Sequence, residues 1–316
     1  MWRYTLRRLA FLPLILIGVS VLTFVLLRVL PGQEPAVLLA GTGASQEQID
    51  AINDSLGLNR PIVVQYFDWL GDVARGDLGE TYQGRRDIGA EVKRRFPASA
   101  ELVLLSLAVS VAVGTSFGVI SAVMRNSPVD YVVRLAAVLG QSVPDFFLLI
   151  LLIILPSILW NYAAPIGGYV APWDDPWRNV RIYLPPSIIL GIGGAAGIMR
   201  LQRTMMLEVL RSDYVRTARA KGLRSTSVIV GHAFRNTLTP LVTVIGSSFT
   251  LVFAGSVIAE RVMSIDGLGV FFLTSVISRD FPVIQFLAIY TAAVVVLVNL
   301  IVDLSYAYFD PRVVYR

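Results

Sequence analysis

One carboxylate stands in the middle of an apolar run. Asp145, in Gln141-Ser142-Val143-Pro144-Asp145, is the single charge between Leu135 and Leu159. Hydrocarbon penalises an ionisable group by several kcal/mol, so one placed inside a bilayer normally faces protein or water. Pro144 also frees a backbone carbonyl, which a kinked, water-accessible helix tolerates. Gln141, Ser142 and Asp145 are therefore candidates for lining a water-accessible cavity or pathway, a polar contact with a neighbouring helix being the other reading. Elsewhere reactive chemistry is sparse. The absence of cysteine excludes thiol nucleophiles, disulfides and iron–sulfur clusters. His232 is the only histidine, so no zinc pair exists, and no residue is a candidate metal ligand. Neither lysine, Lys93 or Lys221, precedes Ser or Thr, as a Walker A loop requires. The chain therefore reads as a non-enzyme with no catalytic residues and no cofactor of its own. If ATP drives it, the ATPase is another polypeptide.

The elements that position these residues are membrane spans. Of 316 residues, 55% are hydrophobic and only 16% charged, against about a quarter charged in a soluble chain. Leu9–Leu27, Leu102–Met124, Thr237–Ala259 and Phe281–Val302 carry no charge, each near the roughly 20 residues that cross a bilayer. Leu135–Leu159 is a fifth span, interrupted by Asp145. Leu184–Met199, shorter and rich in glycine (Gly191, Gly193, Gly194, Gly197), is a sixth. Six spans place both termini on one side. Residues 1–8, 125–134, 200–236 and 303–316 hold 15 Lys+Arg and 5 Asp+Glu, whereas 31–98, 160–183 and 260–282 hold 11 and 15. The positive-inside rule makes the first set cytoplasmic. The net charge of +5 thus reflects topology and gives no support for nucleic-acid binding. Arg3, Arg7 and Arg8 precede an apolar run longer than a signal-peptide core of about 7–15 residues, so the first span reads as a retained anchor. Arg28, Glu101, Arg200 and Asp303, near span edges, read as residues that reach to the interface.

The organisation is then 1–30, an N-terminus and first span; 31–98, an extracytoplasmic subdomain; and 99–316, a transmembrane core. Within 31–98, Ser45-Gln46-Glu47-Gln48 predicts a capping box opening a helix that stops near Gly57. Pro61 predicts a second helix, with Ile62, Tyr66, Trp69, Leu70 and Val73 on one face and Gln65, Asp68 and Asp72 on the other. Ile88–Phe96 is a third amphipathic piece ending at Pro97. This segment reads either as a surface anchored by Tyr66 and Trp69 at the lipid interface or as a docking face for a partner. The aromatic residues Trp160, Tyr162, Tyr169, Trp173, Trp177 and Tyr183 of the next external stretch suit a membrane interface.

The basic segment 211–236 lies between spans four and five. Ser212 or Asp213 can cap a helix through Ala220, and Gly222 can stop it. Arg216 and Arg219 share a face, and Ala218 with Gly222 would let another surface approach closely. Ser225 or Thr226 can cap a second helix whose Val228, Ile229 and Phe234 pack back on the bundle. Two caps, a central glycine and a small-residue face favour a partner-docking hairpin over an ordinary basic loop beside anionic lipid.

The run Tyr214-Val215-Arg216-Thr217-Ala218-Arg219-Ala220-Lys221-Gly222-Leu223, followed by His232-Ala233-Phe234-Arg235-Asn236 and Pro240, strongly resembles the cytoplasmic loop of bacterial ABC-importer permeases, more narrowly the dipeptide/oligopeptide/nickel group. Pro31-Gly32, Leu56-Gly57-Leu58-Asn59-Arg60-Pro61, Gln65-Tyr66, Gly76-Asp77-Leu78-Gly79 and Arg95-Phe96-Pro97-Ala98 look like the external loop of that group's B-type subunit. Glu260 with Gly267-Leu268-Gly269, and Asp303-Leu304 with Asp310-Pro311-Arg312, look like its fifth-span end and C-terminus. Two departures stand out: Asp266, where the group commonly has proline, and Asp145, where it more often has an uncharged residue.

The resemblance implies an all-α, six-span permease in the bacterial inner membrane, forming half of a translocation pathway for di- or oligopeptides. Tyr214, Arg216, Ala218, Arg219, Lys221, Gly222 and Leu223 would form the coupling helix that docks on an ATPase. Implied partners are a homologous second permease, two ATP-binding subunits or one fused ATPase carrying ATP and Mg, and an extracytoplasmic binding protein that Tyr66, Trp69 and Asp72 could meet. An ion-coupled secondary transporter acting alone, with Asp145 as its ion site, is the alternative.

Overall fold

A computed structural model describes residues 2–29, 35–40 and 43–309. Pro31-Gly32 and Asp310-Pro311-Arg312 lie outside these. The chain is all-α: α1 (Trp2–Val29), α2 (Pro35–Ala40), α3 (Gln46–Ser55), α4 (Ile62–Ala74), α5 (Ile88–Val123), α6 (Pro128–Ser142), α7 (Asp145–Trp160), α8 (Pro176–Val209), α9 (Asp213–Ala220), a π-helix over Ser227–Phe234 that runs into α10 (Arg235–Val262), α11 (Leu268–Ser278) and α12 (Phe281–Phe309). Among the described residues five helices are long and apolar enough to cross a membrane, or six if α6 and α7, which meet at a 91° bend, count together as one span.

That break revises the reading of 135–159 as one span. Pro144 has no N–H and disfavours helical geometry at the residue before it. Val143 accordingly takes an extended conformation, ψ 125°, and Asp145 opens a new helix. At Pro97 the outcome is the reverse, because α5 runs through it without interruption. The glycine-rich fourth span is also longer than its apolar stretch suggests. It starts at Pro176, capped by Asp175, whose Oδ1 accepts from the Arg178 N–H at 3.0 Å. Tyr183 therefore lies within this helix and is fully buried.

The chain divides into two compact units: Ala98–Gly269 with Val298–Arg316, and Trp2–Pro97 with Val270–Leu297. In the first, α8 is the central element, and its glycines explain why. A Cβ at Gly191 would stand 2.5 Å from Val109 Cγ1, and one at Gly194 would stand 2.6 Å from Ser110 Oγ. From the other side, a Cβ at Gly114 would fall 2.7 Å from Ile198, and one at Gly118 would fall 2.7 Å from Gln202. Each helix thus presses on the other's backbone, the small-residue packing expected where no hydrophobic effect holds helices together. Ser110 adds a hydrogen bond to the Gly191 carbonyl at 2.8 Å. At the end of the unit away from α9, Ala98, Leu102, Leu149, Ile182, Tyr183, Leu190, Ala259, Met263 and Ile265 form a buried core.

The second unit holds the segment 43–97 against α1. The capping box is present, with Ser45 Oγ accepting from the Gln48 N–H and Gln48 Oε1 from the Ser45 N–H. Gly57 follows with φ +65°. Tyr66 and Trp69 of α4 pack on Phe24 at ring separations of 5.3 and 6.0 Å, and the Tyr66 hydroxyl bonds to Ser20 at 2.8 Å. Arg28 lies over the Phe24 ring and donates to Gln65 at 2.9 Å, so it has protein partners. In the same unit the Tyr82 N–H donates to Asp280 at 3.0 Å. Burial pushes the Tyr82 phenol up to about 12 and raises the Asp280 carboxyl above its ordinary value.

Candidate functional site

The basic hairpin is seated by apolar contacts at one end of the first unit. α9 buries Val215 and Ala218 against Val228 of the π-helix, with Val209 and Leu210 of α8 beside them. Behind these, Ala122, Met206 and Ala233 form a second buried cluster, flanked by Ile229 and Phe234. Tyr214, Arg216, Arg219, Lys221, Gly222 and Leu223 are exposed. Ala218 points the other way, into the hairpin's own core, so its small size serves packing within this chain. Gly222 has φ +78° and open space around its α-carbon, the left-handed turn a C-terminal glycine provides.

The caps differ from expectation. Ser212 precedes α9 but its hydroxyl donates back to the Val209 carbonyl at 2.6 Å. Ser225 and Thr226 make no side-chain cap either; they already lie in the second helix, which widens to π turns from Ser227. Wide i→i+5 turns of this kind are rare, and no periodicity in Ser227–Phe234 announces them. Asn236 Nδ2 ties the two limbs, donating to Tyr214 Oη at 2.9 Å and to the His232 carbonyl at 2.7 Å.

Beneath the hairpin lies a buried ion pair that the sequence reading missed. Asp130 is fully buried. Its carboxylate accepts from Arg203 Nε and Nη2, both at 2.9 Å, from Ser121 Oγ at 2.5 Å and from the Asn126 N–H at 3.0 Å. Arg134 Nε stands 3.4 Å away. The group joins α5, the α5–α6 turn and α8 one turn before Met206. Ser127-Pro128 followed by Asp130 reads locally as a helix start, and Ser127 does cap it. Nothing local names Arg203, which lies 73 residues away.

The candidate pathway residues gather where the third span breaks. Asp145 is half-buried, and a Cβ on Gly193 of α8 would stand 2.9 Å from its Oδ1, one on Gly255 of α10 3.9 Å from its Oδ2. Gln141 and Ser142 are exposed. Arg200, also exposed, donates to Gln141 at 2.8 Å. Glu101 bonds to Asn179 at 2.6 Å.

Glu260 is fully buried at the far end of α10. Ser99 of α5 donates to it at 2.6 Å and accepts from the Leu268 N–H at 2.7 Å. Gly267 and Gly269 press on the same carboxylate, and any Cβ at either would collide with it. The Glu260 and Gly267-Leu268-Gly269 motifs are thus two sides of one contact, with Asp266 half-buried in the turn between them. On α4, Tyr66 and Trp69 are occupied by α1, Asp72 is exposed, and the outer face shows Val63 and Phe67.

Residues 114–315 match the model of the binding-protein-dependent transport system inner membrane component, and residues 1–103 match its N-terminal companion. A chain of Brucella suis biovar 1, named provisionally as a peptide transport system permease, is 40% identical over 98% of both chains. The dipeptide transport system permease protein DppB of Escherichia coli K12 is 36% identical over 99% of both, and that of Alkalihalophilus pseudofirmus 36% over the full length of both. Among solved structures, the inward-facing MetNI methionine ABC transporter matches with TM-score 0.57 at 17% identity. That match covers 70% of this chain and 96% of the other, a likeness of fold.

Proposed function

The chain belongs to the binding-protein-dependent transport system inner membrane components, and we propose that within this family it is the B-type permease of a peptide importer. The relatives at 36–40% identity carry peptide or dipeptide transport in their names and align over essentially the whole chain. The observation that carries the reading here is the hairpin. Its inner face is spent on packing against α8 and α5, while Tyr214, Arg216, Arg219, Lys221, Gly222 and Leu223 stay exposed around a left-handed glycine turn. A basic surface so rigidly seated suits a groove on a separate ATPase, whose closure it would pass to the spans. This chain would supply half of the pathway beside a homologous permease. ATP and Mg would reside in two ATP-binding subunits or one fused chain, and an extracytoplasmic binding protein would deliver the peptide. Both termini would be cytoplasmic. Alternation between inward- and outward-facing states follows if nucleotide and loaded binding protein each favour a different one.

Purifying the tagged chain from its native membranes and identifying what accompanies it tests the assignment. A second permease with ATP-binding chains is the expected result. A folded chain that comes alone and moves solute down an ion gradient in liposomes would overturn it. In the same preparation, Gly222→Val forces a β-branched side chain into φ +78°, at a cost of about 1–2 kcal/mol, and adds bulk to the exposed turn. ATP-driven uptake should be lost while the chain remains folded.

A further inference from the structure

Two groups of opposite charge lie on one face of the first unit, and neither meets a counter-charge within ion-pair distance among the described residues. Asp145 has no hydrogen bond or ion pair in this unit; it rests against the bare backbone at Gly193 and near Gly255. Arg200 bonds only to the neutral amide of Gln141. Between them on α8 lies Gly197, which has nothing within 4 Å of where a Cβ would stand. Gly193, Gly197 and Arg200 follow at i, i+4 and i+7 and so share one helix face. Unpaired charges within or beside an apolar span belong next to water or a charged guest, not lipid.

We propose that this face binds the two ends of a short zwitterionic peptide, Asp145 taking the α-ammonium and Arg200 the α-carboxylate. The inference rests on the importer reading and deepens it. Gly193 and Arg200 lie seven residues apart, about 10 Å along α8. Side chains lean toward a helix N-terminus, which brings the guanidinium back toward Asp145. The charges are then on the order of 5–10 Å apart, the span of two or three extended residues at about 3.5 Å each. Gly197 leaves the backbone bare where the peptide would lie. The Gln141 amide holds the guanidinium on that face without neutralising it.

The test uses the intact complex in liposomes with its binding protein and tri-alanine as probe. Asp145→Asn and Arg200→Gln should each cut tri-alanine moved per ATP hydrolysed by about ten-fold, the effect of losing one charge pair. Asp145→Glu and Arg200→Lys should retain most transport. ATPase stimulation by the loaded binding protein should stay within about two-fold of the parent, since docking is untouched. Because the chain has no cysteine, Gly197→Cys gives a single thiol there. Tri-alanine should protect that thiol from a maleimide during turnover, and should not do so when Asp145→Asn is added. If the parent complex moves no peptide with ATP, the importer reading fails. If it does, but Asp145→Asn transports normally or the thiol is never protected, this inference alone fails.

Discussion

Asp130→Ala should be the most damaging single change at the base of the hairpin. The carboxylate accepts four hydrogen bonds, two from Arg203, one from Ser121 and one from the Asn126 N–H, and the Arg203 side chain is only 18% exposed. Removing one partner of such a pair strands the other, at a cost of about 3–5 kcal/mol. Arg134, 3.4 Å from the carboxylate, would add repulsion, tempered because it reaches solvent. Replacing both partners by apolar residues of similar volume is by contrast often neutral. Asp130→Leu with Arg203→Met should therefore lie within about 1 kcal/mol of the parent. Reversible unfolding in mixed detergent–SDS micelles, followed by tryptophan fluorescence, measures both. Hydrogen exchange across 213–236 should rise in the single variant, because Met206, one turn on, seats the π-helix. A single variant that loses less than about 1 kcal/mol, or a double variant as unstable as the single, would refute the reasoning.

Gly114→Leu places its Cβ 2.7 Å from Ile198 and 2.8 Å from the Ala195 carbonyl; overpacking should cost about 1–3 kcal/mol, read as a lowered Tm in detergent, and an unchanged Tm would contradict the close contact. Ser99→Ala removes both the donor to Glu260 and the acceptor for the Leu268 N–H, so about 1–3 kcal/mol should be lost and protease cleavage near 264–268 should quicken. Asp280, whose carboxyl burial raises above the ordinary aspartate value, favours its protonated form when folded. The stability it contributes is full below the unfolded pKa and is lost as pH rises through the folded one. Limited proteolysis of 75–97 should therefore slow on acidification across that window, and Asp280→Asn should flatten the dependence.

Local signals in the sequence carried the soluble helices well. Ser45 with Gln48 fixed the start of α3, and Pro61 that of α4, because caps act within four residues. Gly222 likewise ends α9 as its neighbours suggest. What could not be read was long-range or a matter of degree. Pro144 breaks its helix while Pro97 does not, and nothing in the two local sequences announces the difference. Ala218 and Gly222 look equivalent as small residues, yet one is buried against Val228 and the other faces open space. The Asp130–Arg203 pair joins positions 73 apart. Glu260 and its glycines were recognisable as a resemblance, but the reason for them, one carboxylate filling the space of two side chains, needs coordinates.

The backbone-to-backbone seam between α5 and α8 has a mechanical consequence. Four glycines set into the opposing helix act as teeth: sliding either helix by one residue would drive a Cβ into a main chain. Over Ala98–Val123 the two helices are therefore one beam, with α8 alone about 50 Å long. A tilt imposed on the hairpin at Val209 therefore carries α5 along with α8 through the interlocked stretch, as far as Gly191. Bending then belongs outside that stretch, at Pro185 and Pro186 within α8 or at the 91° break between α6 and α7.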